Sequence, residues 1–365
     1  MRAAMKIYFI TTHDFSDVQI GGVQGSRRNY EILSAIAETV LHRVDVRINR
    51  KNMLRQMGFY FPGIVSREMR EMKAEIDRER CTLIFLDSSL LGKLAAYFRK
   101  ETALPVISFF HNCERDYYAM LARRSRAKLP QYLYAGFAEA CCCRWSTAIY
   151  SLNSRDQRRI ASLYGRRSDG NIPVTVYDRM SEDELKSEVY RSDDRSAEAP
   201  MLFVGADFPP NYEGIRWFIQ QVMPELKQRL LIVGKNFERR KKDLEKLSER
   251  VTVIGTVDDI KPYYMKAGCV VLPIFDGAGM KVKTAEALMY GKYIFGSEEA
   301  FTGYTQLSEE AGRRCNSAAE YVKAIRDFYG NRTGYYCEAS RKCYESFYSA
   351  AAARISFEAA LKPYL

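Results

Sequence analysis

The chain has 365 residues, 47% hydrophobic and 28% charged, a globular composition long enough for two domains. It holds no run of about 18 apolar residues, so no transmembrane helix is expected, and its first strand-like run is too short for a signal-peptide core. The net charge is +11, and all of the excess lies in residues 1–170, where 28 Lys and Arg stand against 17 Asp and Glu; residues 171–365 balance at 28 against 28. Two domains with different surfaces are expected. The first should meet something anionic: a phospholipid surface, a lipid-pyrophosphate acceptor or nucleic acid.

In the first half, strands are expected at Lys6–Thr11, Val44–Ile48, Leu83–Leu86, Val106–Phe110, Ala148–Ser151 and Pro173–Val176. Helical periodicity fits Ser26–Thr39, Ser66–Arg78, Leu90–Arg99, Gln131–Arg144 and Ser154–Tyr164. Residues 177–200, rich in Asp, Glu, Ser and Arg, read as a linker. The alternation resumes with strands at Met201–Gly205, Leu230–Gly234, Val251–Gly255, Cys269–Leu272 and Tyr293–Gly296. Helices are expected at Asn211–Met223 with Asn211 as N-cap, Arg240–Ser248, Ile260–Lys266, Thr284–Tyr290, Ala318–Phe328 and Cys337–Leu361. Alternating strand and helix implies parallel sheets, hence an α/β protein of two doubly wound, Rossmann-like domains facing each other across a cleft. The expected division is 1–177, a linker at 178–199, 200–340, and a C-terminal helix at 341–365 that crosses back to the first domain.

One turn is richer in chemistry than the rest. Pro273-Ile274-Phe275-Asp276-Gly277-Ala278-Gly279-Met280-Lys281-Val282-Lys283-Thr284-Ala285-Glu286 runs from a buried strand into a helix. Glycines free the backbone N–H groups to face outward, and a helix start adds unpaired donors and a positive dipole end. Together they form an anion site, to which Lys281 and Lys283 bring full charges. Glu286, one turn on, cannot hold phosphate but suits ribose hydroxyls. Diphosphate next to sugar hydroxyls points to a nucleotide-sugar.

The second half resembles the nucleotide-binding domain of family-four glycosyltransferases of the GT-B fold. The matching pieces are Leu202-Phe203-Val204-Gly205 with Pro209-Pro210-Asn211, Leu231-Ile232-Val233-Gly234-Lys235, Val253-Ile254-Gly255-Thr256-Val257-Asp258-Asp259-Ile260, the glycine turn, and Glu286-Ala287-Leu288-Met289-Tyr290-Gly291. In the first half, Gly21-Gly22 and Phe110-His111-Asn112-Cys113-Glu114 look like that family's first glycine loop and its His-Asn-x-Glu turn. The resemblance implies sugar transfer from a nucleotide donor with retained configuration and no bound metal, the donor on the second domain and the acceptor on the first. Three histidines without ligand spacing agree with the expectation of no metal and no cofactor. The nine cysteines, with no Cys-x-x-Cys pair, read as buried thiols in a reducing cytosol. Where the family usually carries the first of two glutamates, this chain has Ala278.

The residues expected to carry chemistry are His111, Asp276 and Glu114 at the reacting groups. The donor would be held by Gly21, Gly22, Lys235, Val257, Gly277, Gly279, Lys281, Lys283 and Glu286. Arg27 and Arg28 are candidate anion contacts, and His13, Asp14 and Asp17 are polar loop residues near them. Each has a bland reading beside it: a tight turn, an exposed helix acid, a surface lysine or a structural histidine.

Basic residues interleave with aromatics at Arg50, Lys51, Met53, Arg55, Phe59, Tyr60, Phe61, Arg67 and Arg70, and again at Tyr117-Tyr118 with Arg123, Arg124, Arg126 and Lys128. These suit an anionic membrane surface, and no nucleic-acid motif accompanies them. The expected protein is a cytoplasmic glycosyltransferase, peripheral on the inner face of a membrane, acting on a glycan or lipid-linked acceptor in surface polysaccharide biosynthesis. The alternatives are a catalytically degenerate GT-B protein acting as an assembly partner, and a nucleotide-sugar epimerase. Nothing in the residues sets the sugar, base, linkage or oligomeric state.

Overall fold

A computed structural model describes residues 5–16, 21–44, 66–187, 199–331, 334 and 336–364. Its contacts divide the chain into two units, Met1–Pro173 with Ala353–Leu365, and Val174–Ala352.

The first unit runs β1 (Lys6–Thr11), α1 (Gly21–Ile36), β2 (Glu38–Arg43), α2 (Ser66–Glu79), β3 (Leu83–Leu86), α3 (Gly92–Glu101), β4 (Val106–Phe110), α4 (Glu114–Arg124), α5 (Leu129–Trp145), β5 (Ala148–Ser151), α6 (Ser154–Tyr164) and β6 (Gly170–Asn171). Its sheet is parallel in the order β2-β1-β3-β4-β5-β6. The central strands are apolar along their whole length because helices cover both faces. On one face Tyr8, Ile10, Ile84, Leu86 and Phe110 pack on Met72, Ile76, Leu94, Phe98 and Cys142. On the other, the Phe9, Phe85 and Phe109 rings follow one another, and Phe85 and Phe109 each meet Phe357 at 6.2 Å between centroids.

Several boundaries differ from expectation. Helix α1 begins at Gly21, so the glycine pair forms its first turn rather than a free loop. It ends at Ile36, and the edge strand is Glu38–Arg43, pairing Lys6 with Glu38 in register. Thr39 and Val40 favour the extended backbone there. Of the expected strand at 44–48, residues 45–48 lie outside the described residues, as do Asp17, Arg50, Lys51, Met53, Arg55 and Phe59–Phe61. Strand β6 is Gly170–Asn171, not Pro173–Val176; Pro173 has no N–H to give a ladder. Helix α4 went unforeseen because only Met120 is buried along it, so apolar periodicity is faint. What favours it is charge: Glu114 and Asp116 in the first turn, Arg123 and Arg124 in the last.

The second unit runs α7 (Glu182–Lys186), β7 (Met201–Val204), α8 (Pro209–Gln221), β8 (Leu230–Val233), α9 (Lys241–Glu245), β9 (Val251–Gly255), α10 (Lys261–Lys266), β10 (Cys269–Leu272), α11 (Val282–Met289), β11 (Ile294–Gly296), β12 (Gly312–Arg314), α12 (Ala318–Asn331) and α13 (Glu338–Phe347). Its sheet is parallel in the order β12-β11-β10-β7-β8-β9. The N-cap of α8 is Phe208, not Asn211, because Pro209 and Pro210 take the first helical positions; Asn211 turns its amide back to the Ala206 carbonyl at 2.9 Å. The helix expected at Cys337–Leu361 is two, α13 and α14 (Ala350–Leu361), parted at Tyr348-Ser349, where the Ser349 hydroxyl accepts from the Ala352 N–H. All nine cysteines are free thiols.

Candidate active site: two clusters at strand ends

In the second unit the chain order switches direction between β7 and its neighbour β10, and ligands of open parallel sheets bind beyond the C-terminal strand ends at such a point. The glycine turn leaves β10 there. Gly277 has φ +152° and Gly279 φ +63°, conformations that L side chains rarely adopt. The turn is braced from below: Thr284 donates to the Ala300 carbonyl at 2.8 Å, Tyr304 donates to the Lys281 carbonyl at 2.7 Å, and Ser297 donates to the Ile274 carbonyl.

The two lysines do different things. The Lys281 ammonium folds back on its own turn, 3.0 Å from the Gly279 carbonyl and 2.6 Å from Glu299 Oε1. Lys283 Nζ instead reaches toward the end of β7, donating to Asn211 Oδ1 at 2.7 Å and lying 5.0 Å from the Phe203 ring centroid. Burial, then the charge of Lys281, pull its amine down to about 7, with Glu286 opposing. Gly205 has no Cβ to obstruct it; one would sit 2.7 Å from Nζ. Gly234, at φ +148°, closes against the same spot, where an added Cβ would lie 1.9 Å from the Gly205 carbonyl oxygen.

Glu286 lies partly buried one turn into α11, and Asp276 is exposed beside Phe275, whose ring meets Trp217 edge-on at 4.7 Å. Lys235 follows Gly234 and gives its carbonyl to the Asp207 N–H at 2.8 Å. Val257 is half-buried after β9, in a segment tied down by Glu238, which accepts from the Thr256 N–H at 3.1 Å. Asp259, rather than Asp258, takes the Lys261 N–H at the start of α10.

In the first unit the corresponding switch lies at β1 and β3. Asp87, fully buried at the end of β3, accepts from Asn29 Nδ2 at 2.8 Å and meets His111 Nε2 at 3.1 Å; its second oxygen, Oδ2, has no hydrogen-bond partner among the described residues. Burial opposes charge on His111, but the Asp87 carboxylate outweighs it and the imidazole is raised above its usual range. The glycines of α1 admit two imidazoles: a Cβ on Gly22 would lie 3.6 Å from the His13 ring, and one on Gly25 3.6 Å from the His111 ring. His13 is held low by burial and by His111.

Glu114 opens α4. Burial, then the charge of Glu139, push it up to about 7. Glu139, fully buried on α5, is likewise pushed up to about 7 by burial. It accepts from the Glu114 N–H at 2.6 Å, the Arg115 N–H at 3.4 Å and the Tyr164 hydroxyl at 2.6 Å, so it caps α4 from another helix. Around Gly21 and Gly22, Arg27 pairs with Glu31 at 2.7 Å and Arg28 donates to Gln24 at 2.8 Å, while Asp14 pairs with Arg43.

In the first unit His111, His13 and Gly22 come together with Glu114 beside them, while Arg27, Arg28 and Asp14 are engaged elsewhere in the same unit; in the second, Lys283 meets Asn211 at the end of β7 and Lys281 turns away to Glu299. Asp87, Asn29, Glu139 and Asn211 were missed. Asp87 had one signal, a carboxylate directly after an unbroken apolar strand; the others show only through tertiary contact.

Residues 199–331 match the family model described as glycosyl transferases group 1. No protein with a curated description matches the chain. Among solved structures, the sucrose-phosphate synthase (tll1590) of Thermosynechococcus elongatus superposes with a TM-score of 0.73 at 15% identity, covering 98% of each chain. The lipopolysaccharide outer core galactosyltransferase WaaB gives 0.68 at 14%, over 99% of this chain and 100% of that one. Anabaena Alr3699/HepE in complex with UDP-glucose gives 0.66 at 12%, over 98% and 100%. The chain therefore carries a glycosyl transferases group 1 domain at residues 199–331, within the fold of the GT-B glycosyltransferases.

Proposed function

We propose that the protein is a retaining, metal-independent glycosyltransferase that moves a sugar from a nucleotide-sugar to a lipid-linked glycan in surface polysaccharide biosynthesis. The observation that carries the reading is the Asp276–Lys283 turn: two glycines at positive φ leading into the N-terminus of α11, with Lys283 aimed at the end of β7. Donors of this kind offer a diphosphate to the helix start and the lysine, and ribose hydroxyls to Glu286. The Lys283 charge and the helix dipole supply stabilisation to the leaving diphosphate, the work a metal would otherwise do.

The leaving diphosphate draws the acceptor proton on the same face of the sugar, so no enzymic nucleophile is required. A glycosyl group trapped covalently on Asp276 would sink that mechanism. In the first unit, His111 is oriented by Asp87 to donate to a hydroxyl of the substrate, and Glu114 is a second carboxyl whose charge acts on His111. HepE, whose structure holds UDP-glucose, makes uridine nucleotides the first donors to test, and WaaB supports a lipopolysaccharide-like acceptor.

No helix among the described residues is long and apolar enough to cross a membrane. At the end of α4 and in the link to α5, Arg123, Arg124, Arg126 and Lys128 are exposed, and Leu129 and Leu133 at the start of α5 are exposed at 50% and 54%. Cations beside exposed leucines suit an anionic lipid surface. Flotation with phosphatidylglycerol vesicles but not with phosphatidylcholine vesicles is the expected result.

The test of the donor site is a thermal-shift panel of nucleoside diphosphates and nucleotide-sugars without metal, with Glu286→Ala as control. A shift for one base, lost in the variant, supports the reading. Ala278 favours a second reading, a protein that binds nucleotide-sugar without turning it over. Binding with no transfer to any glycan extract would select it.

A further inference from the structure

Lys283 is a partly buried amine whose contacts among the described residues include no carboxylate. Nζ meets an amide oxygen (Asn211 Oδ1, 2.7 Å) and the face of Phe203. The charged groups of the surrounding elements are otherwise placed. On its own turn, Lys281 is engaged with Glu299 at 2.6 Å. Along α11, Glu286 lies one turn further on and only tempers the repulsion from Lys281. In the β7–α8 loop, Asp207 is bound by Arg240 at 3.1 Å. Lys235 follows Gly234 at the end of the neighbouring strand β8, and its charge is not among those acting on Lys283. Asn211 is held in turn by the Ala206 carbonyl at 2.9 Å, which fixes where Nζ rests.

We propose that binding of a nucleoside diphosphate at this site takes up a proton at Lys283, with Asn211 as the positioning residue that holds Nζ where a phosphate oxygen arrives. The inference rests on reading the glycine turn as a diphosphate site. The nitrogen lone pair takes a proton from solvent, and the ammonium so formed bonds the phosphate oxygen; no other bond is made or broken. The Asn211 oxygen accepts an N–H from amine and ammonium alike, so it positions the group in both states. Desolvation without a carboxylate in contact outweighs the more distant Glu286 and lowers the empty-site amine, and an arriving anion reverses that balance.

The experiment is titration calorimetry of the full chain with uridine, guanosine and adenosine diphosphate at pH 8, in HEPES and in Tris, buffers of clearly different ionisation heat. At that pH the terminal phosphate is already ionised, so it can release no proton. The expected difference in heat corresponds to uptake of about one proton per bound nucleotide. Asn211→Asp, equal in size, places a carboxylate beside Nζ and keeps Lys283 charged when empty; uptake should fall toward zero. Lys283→Arg, charged at every pH used, should abolish it.

Equal heats in the two buffers for a nucleotide that binds would overturn the proton uptake and leave the diphosphate site standing. Undiminished uptake in both variants would overturn the assignment to Lys283. No binding by any of the three nucleotides would overturn the reading of the turn, and the inference with it.

Discussion

The two units use one layout for opposite electrostatics. Each has a six-stranded parallel sheet, and each gathers polar residues at the strand ends where the chain order reverses. In the first unit the groups gathered there are carboxyls, with Asp87 and Glu139 buried and Glu114 beside them; in the second it is a partly buried amine, Lys283. The first cluster is built of side chains that bond one another and a helix start. The second is built of backbone, with glycines making room for one long side chain. A shared architecture therefore says where chemistry sits and leaves its sign to a few residues.

The contrast can be broken most forcefully at Gly234. Gly234→Ala forces a Cβ against the Gly205 carbonyl in a backbone region costly to L residues. It should cost on the order of 3 kcal/mol or more in chemical denaturation. The matching cut in the first unit is Glu139→Leu, which strips the acceptor from two α4 N–H groups and the Tyr164 hydroxyl. About 2–3 kcal/mol should be lost, with α4 amides exchanging first. If Glu139→Leu proves neutral, the first cluster does not depend on its carboxylate as described.

Lys283→Ala should weaken nucleoside diphosphate binding by roughly 1.5–3 kcal/mol while Lys281→Ala does less, since the Lys281 charge is spent on Glu299. Equal losses would erase the distinction between the two lysines.

The effect that is smallest per step is also the most direct reading of the contrast, and it lies in pH. Glu114 and Glu139 are raised, so the folded state holds more protons than the unfolded between their usual value, about 4.5, and about 7; stability should fall as pH rises through that window. His111, also raised, acts with the same sign: its contribution is whole below about 6.5 and is lost as pH climbs through its folded value. Lys283 is lowered to about 7, so the folded state holds fewer protons from there to 10.5, and stability should rise with pH across that range. Each slope should be on the order of 1 kcal/mol per pH unit. Urea unfolding from pH 5 to 10 should show Glu114→Gln flattening the lower limb and Lys283→Met the upper.

Most of this architecture was legible in the residues. Continuous apolar strands such as Leu83–Leu86 and Cys269–Leu272 mark buried parallel sheets, and the structure ends them where their hydrophobicity ends. Elements held by charge or by edges, α4, β2 and β12, carry little apolar signal and went unseen or were misplaced. The glycine turn was legible because backbone needs leave glycine behind. Its division of labour between Lys281 and Lys283 was not, because it depends on Glu299 and Asn211, 18 and 72 residues away. Asp87 and Glu139 were hidden for a related reason: a buried carboxylate and a solvated one have the same letter.

The return of residues 353–361 has a consequence for how the chain is made. Phe357 completes the aromatic face formed by Phe85 and Phe109, and the Ala360 carbonyl takes the Tyr150 hydroxyl at 3.1 Å. The first unit is thus interrupted in sequence by the whole of the second. On the ribosome, the unit whose strands emerge first waits for the last helix before its aromatic face is closed, while the inserted unit completes from one unbroken stretch. Nascent chains stopped at Ala352 should protect the glycine turn from protease and leave the β3–β4 face open to it, reversing the order in which the two units were translated.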